Sequence, residues 1–225
     1  MREIDRIGEL IPRKFDALLV AGGTRPARNS FMLAVSRAAQ VVAVDGGVQH
    51  LRHFSVFPSL VIGDLDSARS EDLSWARRRR ARVVLIQDQN SSDMDKALDF
   101  CRKRNWKNIV ISACDGSRPD HFLYALGRSH SRSGTYLTFL FRNSVAIALA
   151  GRKSLKLQLG RNKPLSWFGL PRARGVALSG VRWPLPETEL QFDQFVSLSN
   201  QSIEDSVMFR QQSGKSLIII PTGKV

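Results

Sequence analysis

Two aspartates one residue apart, Asp64 and Asp66, follow a short apolar run, residues 60–62, that ends at Gly63. The run reads as a buried strand and the glycine as the point where the chain turns. Both carboxylates then stand at the carboxyl end of a strand, the edge of an open parallel sheet where ligands bind. Carboxylates this close repel unless a cation lies between them. Mg²⁺ suits the position, because it prefers hard oxygen ligands and needs few from the protein when phosphates complete its shell. An isolated Asp-x-Asp also reads as a turn with two solvated acids, so the rest of the chain must decide.

The elements that would position these acids come from the apolar pattern. Strand-like runs at residues 17–20, 41–44, 60–62, 81–86, 108–112 and 135–141 alternate with helical stretches. The helices are expected from Asn29 or Ser30, through Leu51, over 71–80, from Asp93, and over 120–127, with Ser91 or Ser92 capping the fourth. In that fourth helix Met94, Ala97, Leu98 and Cys101 share one face. Alternation of this kind implies a mainly parallel sheet with helices on both faces. Right-handed crossovers put every strand-to-helix turn on one edge. Asp45, Asp64, Asp66, Asp88, Asp93, Asp115 and Asp120 are therefore expected to converge there, with Asp93 and Asp120 also placed to cap helices. So many acids at one edge of a basic chain call for a metal or cationic partners. The loop after the first strand, AGGTRPARNS, lacks the Gly-Lys-Ser/Thr ending of a phosphate-binding P-loop. Its backbone amides and Arg25 are still candidates to hold phosphates.

After residue 143 the pattern changes to short β-type runs punctuated by Gly, Pro and Asn, which suggests an antiparallel sandwich or barrel. The boundary falls between Phe141 and Gly151 and is taken as 1–143 and 144–225.

Composition narrows the partners. Among 225 residues, 34 are Lys or Arg and 20 are Asp or Glu, a net charge of +14. The densest basic cluster, Arg77 to Arg80 with Arg82, lies at an expected helix end, where positive charge suits the dipole. No RNA-binding aromatic signature and no zinc-finger spacing accompany it, so nucleic acid is not the expected substrate. No apolar run is long enough to cross a membrane, and the first residues lack the apolar core of a signal peptide. Cys101 and Cys114 have neither metal-site nor disulfide-framework spacing and are expected as buried thiols, which points to the cytoplasm.

The motifs taken together resemble the thiamine pyrophosphokinase family. The resemblance rests on VDGG at 44–47, IGDLDS at 62–67, DQNSSDMDKAL at 88–98, SRPDH at 117–121, GVRWPL at 180–185 and SLSN at 197–200. It implies an α/β, Rossmann-like, mainly parallel sheet domain followed by an all-β sandwich domain, assembled as a homodimer. It also implies transfer of a diphosphate from ATP to the hydroxyl of thiamine, with Mg²⁺ required. By the same resemblance, Asp64, Asp66 and Asp93 would hold the metal, with Asp45 and Asp120 beside them. Gln89 and Ser92 match positions near the substrate, and Lys96 and Arg118 supply positive charge within reach of phosphate. Trp183, Ser199 and Asn200 match positions lining the thiamine pocket. The chain departs from the family at Asn90, where an acid is common, and at Ala125, where asparagine is usual. Such departures leave room for another acceptor or nucleotide, or for a relative that binds nucleotide or nucleic acid without catalysis.

Overall fold

Residues 18–20 at the end of the first strand and 60–63 of the third are buried without a break, the mark of strands covered on both faces of a parallel sheet. The computed structural model describes residues 3–88, 90–116, 118–128 and 135–223. By internal contacts the chain divides into Arg13–Arg142 and a second unit that joins Asn143–Val225 to helix α1 (Glu3–Leu10).

In Arg13–Arg142 the strands are β1 (Phe15–Val20), β2 (Ala38–Val44), β3 (Leu60–Gly63), β4 (Arg82–Leu85), β5 (Asn108–Ser112) and β6 (Tyr136–Leu140). All pair in parallel, in the order β4-β3-β2-β1-β5-β6. The order reverses between β1 and β5, the kind of switch point at which open α/β sheets bind ligands. β4 is the edge strand and exposes Arg82 and Leu85, an arginine on an unpaired edge being a common guard against strand addition.

The crossovers are α2 (Arg28–Arg37), α3 (Val48–His53), α4 (Ser70–Arg78), α5 (Asp93–Lys103) and α6 (Pro119–Arg128). Met94, Ala97, Leu98 and Cys101 of α5 are all buried, as their spacing requires. Neither Asn29 nor Ser30 caps α2. Ala27 is the N-cap without a side-chain bond, and the Ser30 hydroxyl, inside the helix, donates back to the Ala27 carbonyl. Asp93 does not cap α5 either. Ser92 does, in a reciprocal capping box with Asp95, which frees the Asp93 carboxylate for other partners. Both cysteines are free and buried. Burial pushes the Cys101 thiol up to about 12 and raises that of Cys114 as well, so both stay protonated.

The second unit is antiparallel throughout. Its strands are β7 (Ser144–Ala150), β8 (Lys153–Gln158), β9 (Pro164–Ser179), β10 (Leu185–Gln191), β11 (Ser197–Gln201), β12 (Ser206–Gln211) and β13 (Ser213–Pro221). The path β7-β13-β9-β12-β8 runs through β9, which also pairs with β10 and β11. β9 spans 16 residues and alternates inward and outward side chains along most of its length. Trp167 on β9 is fully buried, meets Phe209 edge-on at 5.3 Å, and donates its indole N–H to Ser216. The N-terminal segment differs from the expected boundary at residue 1. Helix α1 lies against β7 and β8, where Ile7 and Leu10 are buried. A helix this short depends on such cover for its stability.

Candidate functional site

Strand β3 ends at Gly63, and the register of β2 on β3 (Val44 beside Ile62) brings Asp45 next to Asp64. Helix α5 adds Asp93 from its first turn. Carboxylate oxygens of Asp45, Asp64 and Asp93 all lie within 4.8 Å of one another. Asp93 Oδ1 accepts the backbone N–H of Asp64 at 3.0 Å, which ties the start of α5 to the end of β3. Gly63 has φ +151°, and a side chain there would meet Asp45 Cβ and Asp93 Oδ1 at 3.1 Å. Glycine therefore keeps the space between the acids open.

The Lys96 ammonium reaches into this cluster with its side chain 2% exposed, donating to Asp93 Oδ1 at 2.9 Å and Asp64 Oδ2 at 3.3 Å. Burial alone would lower its pKa, but the two carboxylates outweigh burial and raise it, so it is fixed as a cation. Burial would raise the Asp64 carboxyl, yet the Asp66 amide and Lys96 hold it below the usual range. Asp45 goes the other way. Burial first, and the Asp93 charge after it, raise its pKa above the usual carboxylate range. Its Oδ1 is buried with no hydrogen-bond partner, and its backbone sits at φ 46°. The unsatisfied buried oxygen is a cost that a bound cation would relieve.

The other expected residues divide. Asp66 is exposed, its carboxylate accepting the Ser67 hydroxyl, so the triad of closest acids contains Asp45 in the place expected for Asp66. Asp88 is bonded by Asn90 and Ser91 within its own loop. Ser92 is occupied by the α5 cap. Asp120 is exposed and pairs two-pronged with Arg118, whose guanidinium pulls its carboxyl well below the usual range. These two form a pair of their own at the start of α6. Arg25 is exposed. Gln89 and Ser117 lie outside the described residues. In the glycine-rich loop, the Gly23 and Thr24 amides donate to the Ala113 and Asp115 carbonyls, so those two are spent on the neighbouring loop and not free for phosphate.

In the β unit, Trp183 is 54% exposed, with the Arg182 guanidinium 5.1 Å from its ring centroid. Asn200 is buried. Its Oδ1 accepts the Trp183 and Gln201 amides, and its Nδ2 donates to the Trp183 carbonyl and the Ser197 hydroxyl. It thus braces the Trp183 backbone from both sides. Ser199 is exposed, at φ 53°, and its amide donates to Ser166.

Sequence reasoning passed over Asp95 and His50. Asp95 is 3% exposed and collects bonds from Ser92, Tyr124 and Arg128. The Ser-x-x-acid spacing of a capping box was the signal that could have found it. His50, on α3, is buried and bonds the Gly23 carbonyl through Nε2, while burial lowers its pKa.

Comparison with known proteins follows the same two-part division. Residues 31–136 match the model described as "Thiamin pyrophosphokinase, catalytic domain", and residues 156–215 match "Thiamin pyrophosphokinase, vitamin B1 binding domain". Thiamine pyrophosphokinase 1 of Arabidopsis thaliana is 25% identical over 168 residues, a match covering 69% of this chain and 62% of that protein's length. Thiamine pyrophosphokinase from Bacillus subtilis superposes with a TM-score of 0.78 at 20% identity, over 93% of this chain and all of that one. Thiamin pyrophosphokinase from Candida albicans gives 0.80 at 12% identity, over 98% of this chain and 92% of that one.

Proposed function

Because this chain belongs to the thiamine pyrophosphokinase family, we propose that it transfers a diphosphate group from ATP to the hydroxyl of thiamine, giving thiamine diphosphate and AMP. The observation that carries this reading is the carboxylate cluster at the end of β3: Asp45, Asp64 and Asp93 within 4.8 Å, around one buried ammonium.

The donor set fits Mg²⁺. It is all carboxylate oxygen, as a hard cation prefers, and Asp45 Oδ1 is buried with a coordination position unspent. Asp64 and Asp93 would hold the ion, with Asp45 and the neighbouring Asp66 completing the acid shell. When bound, Mg²⁺ supplies neutralisation of polyphosphate charge. The chain's own residues do the rest. Lys96 offsets the repulsion between Asp64 and Asp93 and holds the two carboxylates side by side. Arg25, Arg118 and Gln89 are proposed to contact the nucleotide, and Ser92 to hold the turn that faces it. Attack forms a bond from the thiamine oxygen to the β-phosphorus and breaks the bridge from that phosphorus to AMP, so positioning dominates. Asp93 accepts the hydroxyl proton in this reading, since Asp64 N and Lys96 Nζ both donate to its Oδ1 and leave the proton to Oδ2. Asp120 is proposed as an outer residue that orients Arg118.

The thiazolium of thiamine is cationic, and the exposed Trp183 ring offers a face to it. Asn200 serves by bracing Trp183, while Ser199 is the exposed polar group beside it. We also propose a homodimer, in which the carboxylates of one chain and Trp183 of the other make each site, and a cytoplasmic location. No helix among the described residues is long and apolar enough to cross a membrane. The test is direct: incubate the protein with ATP, Mg²⁺ and thiamine, and assay AMP and thiamine diphosphate. One-to-one formation of the two is the expected result. AMP without thiamine diphosphate, or neither, overturns the assignment.

A further inference from the structure

Asp95 lies two residues beyond Asp93 and one before Lys96, yet it turns away from the acid cluster, as i and i+2 residues of a helix do. Its carboxylate is 3% exposed and is met from two helices. From α5, Ser92 donates its amide at 3.3 Å and its hydroxyl at 2.9 Å. From α6, Tyr124 donates its hydroxyl at 2.5 Å and Arg128 its Nε at 2.8 Å. A buried charge with partners on two elements ties them to one arrangement, because losing any partner leaves the charge undercompensated.

We propose that Asp95 is a positioning residue: with Tyr124 and Arg128 it clamps the first turn of α5 onto α6, and so sets where Asp93 and Lys96 stand against Asp64. The chain of contacts is continuous. Tyr124 and Arg128 hold Asp95; Asp95 and Ser92 hold the first turn of α5; from that turn Asp93 and Lys96 reach Asp64. Helix α6 thereby acts on the acid cluster through Tyr124 and Arg128, while the exposed Arg118–Asp120 pair at its start bonds locally. Outer partners of this kind normally tune a cation site strongly.

The inference rests on the proposed reading of the acid cluster as a metal site, and the test separates the two. Mn²⁺ binding to the protein is measured by electron paramagnetic resonance at a temperature well below unfolding, alongside thiamine diphosphate formation. Asp95→Asn is expected to raise the Mn²⁺ dissociation constant about tenfold, and Tyr124→Phe about threefold. Tyr124→Phe removes one hydroxyl from a half-exposed ring, so it folds even if Asp95→Asn does not. Asp95→Glu, which restores both the capping box and the charge, is expected to return most of the affinity. In the Asp95→Asn background, Tyr124→Phe should add little, because the two act as one unit. Variants that melt earlier but bind Mn²⁺ like the wild type would show Asp95 to be structural only and overturn the inference. A wild type that binds Mn²⁺ without making thiamine diphosphate would overturn the proposed activity while leaving the clamp standing. A wild type that binds no Mn²⁺ overturns the metal reading of the acid cluster and the clamp's role in it, whatever the turnover assay gives.

Discussion

At the end of β3, two of three clustered acids, Asp64 and Asp93, share one ammonium, and the Oδ1 atom of the third, Asp45, has no hydrogen-bond partner. Beside β11, every hydrogen-bonding position of the Asn200 amide is filled by Trp183, Gln201 and Ser197. Both regions use buried polar groups next to exposed ones, but the first is left electrostatically unfinished and the second is complete. The contrast teaches how each can serve a ligand. An unfinished cluster gains energy when a cation arrives, so its residues contact the ligand themselves. A finished network gains nothing from a ligand, so it can only hold something else, here the Trp183 backbone, in place.

The largest effects should break the first region. Asp64→Asn and Asp93→Asn are each expected to lower turnover by about a hundredfold to a thousandfold, with the fold intact by circular dichroism. The metal-free protein should respond in the opposite sense at Asp45. Its carboxyl binds a proton more tightly folded than unfolded, so stability falls as pH rises through its raised pKa. Asp45→Asn should therefore melt higher than the wild type without metal, by a margin that grows as pH rises above about 4. Asp64, whose carboxyl is held low, contributes with the reverse sign and is kept in that comparison. An Asp45→Asn variant that is less stable at neutral pH would show the cluster to be satisfied after all.

The next effect joins the two regions. Trp183→Ala should raise the KM for thiamine about 2- to 30-fold, matching ~0.5–2 kcal/mol of cation–π attraction, with little change in melting. In the proposed homodimer, co-expression with Asp64→Asn gives mixed pairs in which one site carries both defects and the other neither. With random pairing about a quarter of all sites are then intact. Mixed dimers that recover no activity would mean that each chain supplies its own Trp183, or that Trp183 is not a ligand residue.

Asn200→Ala should act on stability more than on chemistry. It leaves the Trp183 amide and carbonyl without their buried partner, a loss of about 1–3 kcal/mol by chemical denaturation, together with a shift in tryptophan emission. An unchanged spectrum would mean that Asn200 does not brace Trp183. The smallest effect is expected at the exposed Arg118–Asp120 pair. Asp120→Asn should leave melting unchanged and slow turnover only slightly. A loss as large as that of Asp64→Asn would move Asp120 into the acid cluster.

The parallel strand pattern, the Asp64 turn and the α5 face could all be read from periodicity, because each is a local property of a few neighbouring residues. The prominence of Asp45 over Asp66 could not. It depends on how β2 lies on β3, a register between segments that the sequence does not spell out. Asn200 shows the same limit in the β unit. Strict alternation would put Ser197 and Asn200 on opposite faces of β11. The pairing shifts between them, with Ser199 at φ 53°, and both side chains turn inward. The glycine-rich loop after β1 reads as a phosphate cradle until its amides are found bonded to the loop after β5.

Helix α1 has a consequence for the order in which the molecule is made. A ribosome delivers residues 13–142 as one uninterrupted block, so the parallel sheet can close as soon as β6 has emerged. The β unit has no such freedom. Its helix is synthesised first, while β7 and β8, which cover it, come only after the whole α/β unit. Throughout that interval Ile7 and Leu10 have no core to enter. A chain that stalls after β6 therefore carries its six parallel strands and an uncovered segment with two exposed apolar anchors, the kind of surface that chaperones and proteases act on.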